Sequence, residues 1–195
     1  MIDLNSFKKK KNEEKMKVII RDVRISDAEN IARVNVNTWR IAYAGLIDEN
    51  TLQNLSYSEK ANRWRNTLES LDYRTVIYIA EVGDNLVGFV LAGQEQQDPS
   101  IKSSQYRVEL RAIYVSERFQ RRGIGTRLVL KVIDYLIKND VNSMCVWTLK
   151  GNPYSDFYVK LGAKLIDSKT HFIDQKEYTL ISYGWKDIKS LTNSN

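Results

Sequence analysis

One cysteine, one histidine and two prolines are spread over 195 residues, and each scarcity removes a class of protein. Cys145 has no partner for an intramolecular disulfide, so the chain reads as suited to a reducing cytoplasm. With a single Cys and a single His, His171, the chain offers no recognisable metal-ligand spacing, and no metal is expected. No apolar run is long enough to cross a bilayer or to serve as a secretory signal, so neither a membrane nor an export route is expected. Nine glycines and two prolines form no linker that would divide the chain, and there is no internal repeat. The length suits one core.

The net charge of +6 raises the question of nucleic acid. Residues 1–17 carry six lysines against Asp3, Glu13 and Glu14, so about half of the excess sits in an N-terminal stretch. We expect residues 1–16 to be a basic, flexible tail, 17–189 a single domain and 190–195 a flexible C-terminus. No zinc-finger spacing or basic heptad accompanies the charge, so nucleic acid is not expected as the primary ligand.

What is present is an alternation of strand and helix patterns. A strand over 17–24 leads to a helix that Ser26 or Asp27 can cap and that reaches Trp39 or Tyr43. A helix over 58–70 follows, then strands over 76–82 and 86–92 about a Gly83-Asp-Asn85 turn. After a polar loop come a strand over 106–115, a helix over 123–138, a strand over 143–149, a helix over 153–161, and strands near 163–170 and 176–184. This predicts a mixed α/β fold with both hairpins and a crossover.

The segment joining the strand ending at Val115 to the next helix reads Gln120-Arg121-Arg122-Gly123-Ile124-Gly125-Thr126. The first N–H groups of a helix lack intrahelical acceptors, and glycines let anionic oxygens approach them. Arg118, Arg121, Arg122 and Arg127 surround this turn, which fits a large phosphorylated ligand and equally a solvated basic surface. Leu128 stands where the third glycine of a dinucleotide fingerprint belongs, and no Gly-Lys-Ser/Thr makes a P-loop.

Gln120, Gly123 and Gly125 resemble the acetyl-coenzyme A motif of the GCN5-related N-acetyltransferase (GNAT) superfamily. The strand at 144–149, Asn152, the pair Phe157-Tyr158 and Lys160-Leu-Gly162 continue the likeness in the same order, over roughly 75–185. The resemblance implies a predominantly antiparallel sheet flanked by helices and split by a cofactor slot. Acetyl-CoA is then the cosubstrate, its pantetheine arm along Ile113, Tyr114 and Val115, its pyrophosphate over Gln120 to Thr126, with Asn152, Phe157 and Tyr158 beside it.

Within that resemblance Tyr158 is the general acid that protonates the departing thiolate, and Phe157 takes the sheet side. Glu109 is the candidate base, acting through water, and also contributes to the acceptor site. It shares a strand face with Arg111, and a structural ion pair is its competing role. Asn152 holds the acyl or pantetheine amide or caps the following helix, and the Ile113 N–H is the oxyanion donor, which a bulge would aim. His171 reads as solvent-facing and Cys145 as an inert buried thiol.

Trp39 and Tyr43 are candidates for the acceptor site, with Asp48 and Glu49 either drawing in a cationic amine or starting a surface helix. The sequence around them resembles a bacterial small-molecule and polyamine branch, which implies a small-molecule amine acceptor. The alternatives are an acyl-CoA binding or sensing protein with little turnover, and a protein N-terminal or lysine acetyltransferase. The aromatic strand around Tyr178, Leu180, Ile181, Tyr183 and Trp185 suggests a homodimer.

Overall fold

The computed structural model describes residues 17–94 and 105–192, so the expectations of a flexible 1–16 tail and of the loop around 95–104 fall on residues outside it. Its centre is a seven-stranded sheet in the order β1-β2-β3-β4-β5-β7-β6. The strands are β1 Val18–Asp22, β2 Thr75–Val82, β3 Asn85–Gln94, β4 Val108–Val115, β5 Met144–Leu149, β6 Lys164–Ile173 and β7 Lys176–Trp185. Every neighbouring pair is antiparallel except β4 and β5.

Helix α1 (Ala28–Ala42) and helix α3 (Tyr57–Glu69) cover one face, linked by the short α2 (Glu49–Gln53). Ala28, Ile31 and Val34 of α1 and Leu68 and Trp64 of α3 pack on Ile77, Ile79 and Phe89. Helix α4 (Ile124–Lys138) covers the other face, because Ile124, Leu128, Val129, Val132, Ile133 and Leu136 recur at helical spacing and all are buried. A smaller cluster joins the end of α1 to the far half of the sheet through Ala42, Tyr43, Ile47, Leu52 and Leu149.

Asp27 does not cap α1 with its side chain. It lies 6% exposed and accepts hydrogen bonds from both Arg21 terminal nitrogens at 2.8 Å and from the Arg24 N–H at 2.7 Å. The helix expected over 153–161 is shorter, α5 being Asp156–Lys160. Ser155, Phe157 and Tyr158 each donate to the carbonyl three residues back, so Asn152 to Ser155 are spent on tight turns. At the other end, Ile188–Leu191 forms a short 3-10 turn in which Ile188 is fully buried and Asp187 accepts from the Lys189 N–H. Ser190 and Thr192, assigned by sequence to a flexible end, are hydrogen-bonded there. Residues 193–195 lie outside the described residues.

Strand β4 departs from simple alternation. Leu91 faces Ala112 and the next residue, Ala92, faces Leu110, so Arg111 is an extra residue on β4. Val108, Leu110, Ile113 and Val115 therefore all join the α4 side, whereas Ala112 and Tyr114 join the α1 side. Strict alternation along β4 would group Ala112 with Leu110 and Ile113 with Glu109; the bulge resets the period by one residue and separates them.

Candidate active site

The parallel contact between β4 and β5 lasts for two residue pairs only, Val108 with Met144 and Glu109 with Cys145. Beyond Glu109 the strands part, and the gap is a cavity of about 320 Å³. Its walls are Leu110 to Val115 on one side and Val146 to Thr148 on the other. Gln120, Arg121 and Gly123 to Thr126 close one end, and Asn152 to Tyr154 with Phe157 and Tyr158 close another. The separate sequence segments expected to share a slot do meet around one.

At the anionic end, Gly123 has φ of 76° and precedes α4, with no side-chain cap and no acidic residue in the first turn. The first helical bond runs from the Arg127 N–H to the Gly123 carbonyl at 3.0 Å, so the amides before it have no intrahelical acceptor. Arg121 also has positive φ, 59°, so the turn bends sharply just before α4. A Cβ at Gly123 would meet nothing within 4 Å, whereas one at Gly125 would touch the Phe157 ring at 3.4 Å. A methyl group at Gly125 would make ordinary contact with Phe157 of α5, and Gly123 leaves open space above the turn.

The arginines divide their work. Arg121 lines the cavity, Arg118 stacks over the Phe119 ring at 4.7 Å, and Arg127 points away to donate to the Val18 carbonyl at 2.9 Å. The Gln120 side chain donates to the Val115 carbonyl at 2.9 Å, pinning the turn to β4. Arg122 is exposed and does not line the cavity.

Tyr158, 8% exposed, is the more buried member of the Phe157-Tyr158 pair, contrary to the expectation that Phe157 takes the sheet side. Phe157 rests against Gly125, which leaves Tyr158 to pack with Tyr183 and Trp185 while still bordering the slot. Asn152 donates to Thr148 Oγ1 at 2.7 Å and accepts from the Tyr154 N–H at 3.0 Å, so its side chain caps the turn. Glu109 and Arg111 share a face around Gly93: Glu109 is its strand partner, and the Arg111 guanidinium lies 3.2 Å from where a Gly93 Cβ would stand. Arg111 lines the cavity and Glu109 does not. His171 is exposed on β6, and Cys145 is fully buried, as their sequence contexts suggested.

On the α1 side, Tyr43 lines the cavity and Trp39 stands behind it, ring edge to face at 5.0 Å. Asp48 and Glu49 are both engaged. Asp48 accepts from the Asn50 N–H at the start of α2 and pairs with Lys176, while Glu49 accepts from Gln53. Trp147, Thr38 and Tyr154 also line the slot, and Lys169 sits over the Trp147 ring at 4.2 Å. Sequence reasoning passed over Trp147; its signal was the alternation along β5, which puts it opposite the buried Val146.

Burial pushes the phenols of Tyr43, Tyr114 and Tyr158 above their ordinary value, with Tyr43 adding to the rise at Tyr114 and Tyr158. Folding therefore favours the neutral phenols. That contribution is complete below about pH 10, where the unfolded chain also keeps them neutral, and is lost as pH climbs toward the folded values. The melting temperature should stay level through neutral pH and fall above about pH 10. Phenolate absorbance that reached completion before the melting temperature moved would contradict this.

The profile of the acetyltransferase (GNAT) family matches residues 41–163. The N-acetyltransferase YuaI of Bacillus subtilis, itself described as uncharacterized, is 29% identical over 89% of this chain and 96% of its own length. The spermidine N(1)-acetyltransferase of Thermoplasma acidophilum is 24% identical over 84% of this chain and 99% of its own. Among solved structures, the PaiA N-acetyltransferase of T. acidophilum in complex with coenzyme A covers 87% of this chain and all of its own, at 20% identity and a TM-score of 0.64. Among the described residues no helix is long and apolar enough to cross a membrane, and no group of ligands could hold a metal.

Proposed function

The chain belongs to the acetyltransferase (GNAT) family, and on that premise we propose that it acetylates the primary amine of a small molecule by direct attack within a ternary complex. It is an acetyl-CoA-dependent N-acetyltransferase; acetyl-CoA is the cosubstrate. The observation that carries the reading is the parting of β4 and β5 above an uncapped, glycine-opened helix N-terminus. In this reading the pyrophosphate lies on the amides of Gly123 to Thr126 with Arg121 beside it, and Arg122 acts at longer range. Ile113 to Val115 line the pantetheine arm, and the thioester lies between Tyr43 and Tyr158.

The amine lone pair forms the C–N bond while the carbonyl pair moves onto oxygen. Collapse re-forms C=O, breaks C–S and releases coenzyme A thiolate, which takes the Tyr158 proton. The amine proton leaves through water toward Glu109, which stands just outside the slot. Asn152 serves by holding the turn that carries Tyr154 into the wall.

Tyr43 builds the acceptor side with Trp39 behind it, and Trp147 and Arg111 also line the opening. Because Asp48 is paired with Lys176, a strongly cationic polyamine gains less from it than the sequence suggested. The test is coenzyme A release over a panel holding spermidine, single primary amines, an aminoglycoside and a peptide with a free N-terminus. Turnover restricted to the peptide would overturn the small-molecule reading. We place the activity in the cytoplasm and propose a homodimer; a sedimentation mass of one chain at micromolar concentration would rule the dimer out.

A further inference from the structure

Asn152, a candidate for the pantetheine amide by resemblance, spends its side chain inside the protein, and the way it is spent fixes a neighbour. The Tyr154 backbone N–H can only donate, so the Asn152 atom that it meets at 3.0 Å is the amide oxygen. The amide nitrogen therefore faces Thr148. It donates to Thr148 Oγ1 at 2.7 Å, and a threonine oxygen that accepts from an N–H keeps its own hydrogen for another partner. Among the described residues that hydrogen has no acceptor. Thr148 is 5% exposed, and a buried donor left without a partner costs free energy. Alternation along β5 puts its side chain on the face of Val146, which packs with Tyr158 toward α4, and Thr148, Asn152 and Tyr158 all line the slot. The missing acceptor belongs in the slot.

Acetyl-CoA brings three kinds of acceptor into such a slot. Its thioester sulfur is a weak one. The thioester carbonyl is weaker than an amide carbonyl, because sulfur lends its oxygen little of the lone-pair density that an amide nitrogen supplies. The amide carbonyls of the pantetheine arm are the strongest, and each gives up water when the arm enters, so each needs a donor. We infer that Thr148 donates a hydrogen bond to an amide carbonyl of the pantetheine arm, and that Asn152 is a positioning residue that holds the Thr148 oxygen and leaves its hydrogen for the cofactor. No proton is transferred. The contact is the same with acetyl-CoA and with coenzyme A, so it secures the arm before and after acyl transfer. The inference deepens the acetyltransferase reading and rests on the slot being the acetyl-CoA site.

The test needs no amine. Calorimetry compares acetyl-CoA, coenzyme A and 3′-phospho-ADP, the part of coenzyme A that lacks the arm, on the wild type, Thr148→Val, Asn152→Ala and the double variant. Thr148→Val keeps the branched shape and loses the hydroxyl, and it should bind acetyl-CoA and coenzyme A alike roughly tenfold more weakly while binding 3′-phospho-ADP as the wild type does. Asn152→Ala should show a smaller loss of the same kind, and almost none when added to Thr148→Val. Wild-type affinity for acetyl-CoA in Thr148→Val overturns the inference and leaves the cofactor site standing. A loss shared by 3′-phospho-ADP overturns it too, since the variant has then disturbed more than the arm. A loss confined to acetyl-CoA moves the donor to the thioester and denies the amide contact, and additive losses deny that Asn152 acts through Thr148. If Thr148→Val melts early, Thr148→Ser and Thr148→Ala, which differ only in the hydroxyl, decide the matter: equal affinities there overturn the inference. Failure of the wild type to bind acetyl-CoA overturns the site itself, and this proposal with it.

Discussion

Gly123→Val is expected to weaken acetyl-CoA binding by roughly a hundredfold or more, about 2.7 kcal/mol, in a protein that still folds. Two effects combine at this residue. Its φ of 76° lies in the left-handed region, where a β-branched side chain costs on the order of 1–3 kcal/mol. The chain can relieve that strain only by rotating the turn, and rotation turns away the amides that precede the first α4 bond. The new side chain also fills the space that is open above Gly123, where nothing of the protein lies within 4 Å. Because that space is empty of protein, the core loses no contact, and the melting temperature should fall only by the strain, roughly 2–12 °C for a chain of this size. Gly123→Ala separates the two effects, since it carries some of the strain and little of the bulk; it should bind more tightly than Val. Calorimetric titration with acetyl-CoA measures both. Wild-type affinity in folded Gly123→Val would remove this turn from the cofactor site.

The same turn shows why part of the site could be read before any fold was known. Gly123, Gly125 and the apolar stripe from Ile124 to Leu136 are local: a glycine in the right place and a 3.6-residue period need no tertiary knowledge. The strand and helix order was legible for the same reason. The bulge at Arg111 was not, because a period of two reads straight through an inserted residue, and Ala112 and Ile113 after it fall on the opposite faces. Nor was the shortening of α5, where the Asn152 side chain holds a turn that competes with the helix. The chain from Trp39 to Tyr114 joins residues 75 apart in sequence, so only the folded sheet brings the indole to the phenol. From the sequence Trp39 and Tyr43 form an acceptor wall; in the fold the Trp39 indole has the Tyr114 hydroxyl as its partner and Tyr43 lines the slot.

Tyr158→Phe should lower turnover by roughly tenfold to ten-thousandfold, the range expected of a positioned proton donor, with little change in acetyl-CoA affinity. The reasoning begins with the leaving group. Coenzyme A departs as a thiolate into the slot between β4 and β5, so a proton supplied on site lowers the barrier to C–S cleavage. Tyr158 borders the slot, and its burial and the nearby Tyr43 raise its pKa, so the proton is present throughout any practical assay range. The high pKa has a second consequence. A phenol this weakly acidic cannot act as the base that removes the amine proton, so any pH dependence in the neutral range must come from elsewhere, and Tyr158→Phe should scale the pH–rate curve down without moving it. The ring itself packs between Tyr183 and Trp185, and phenylalanine preserves those contacts, so the melting temperature should barely change. Leaving-group chemistry provides the sharper check. With an acetyl thioester of a more acidic thiol, the departing sulfur needs less help and the gap between wild type and Tyr158→Phe should narrow. A gap that stays constant across thioesters would instead assign Tyr158 to packing and leave water as the proton source, with the acetyltransferase assignment intact.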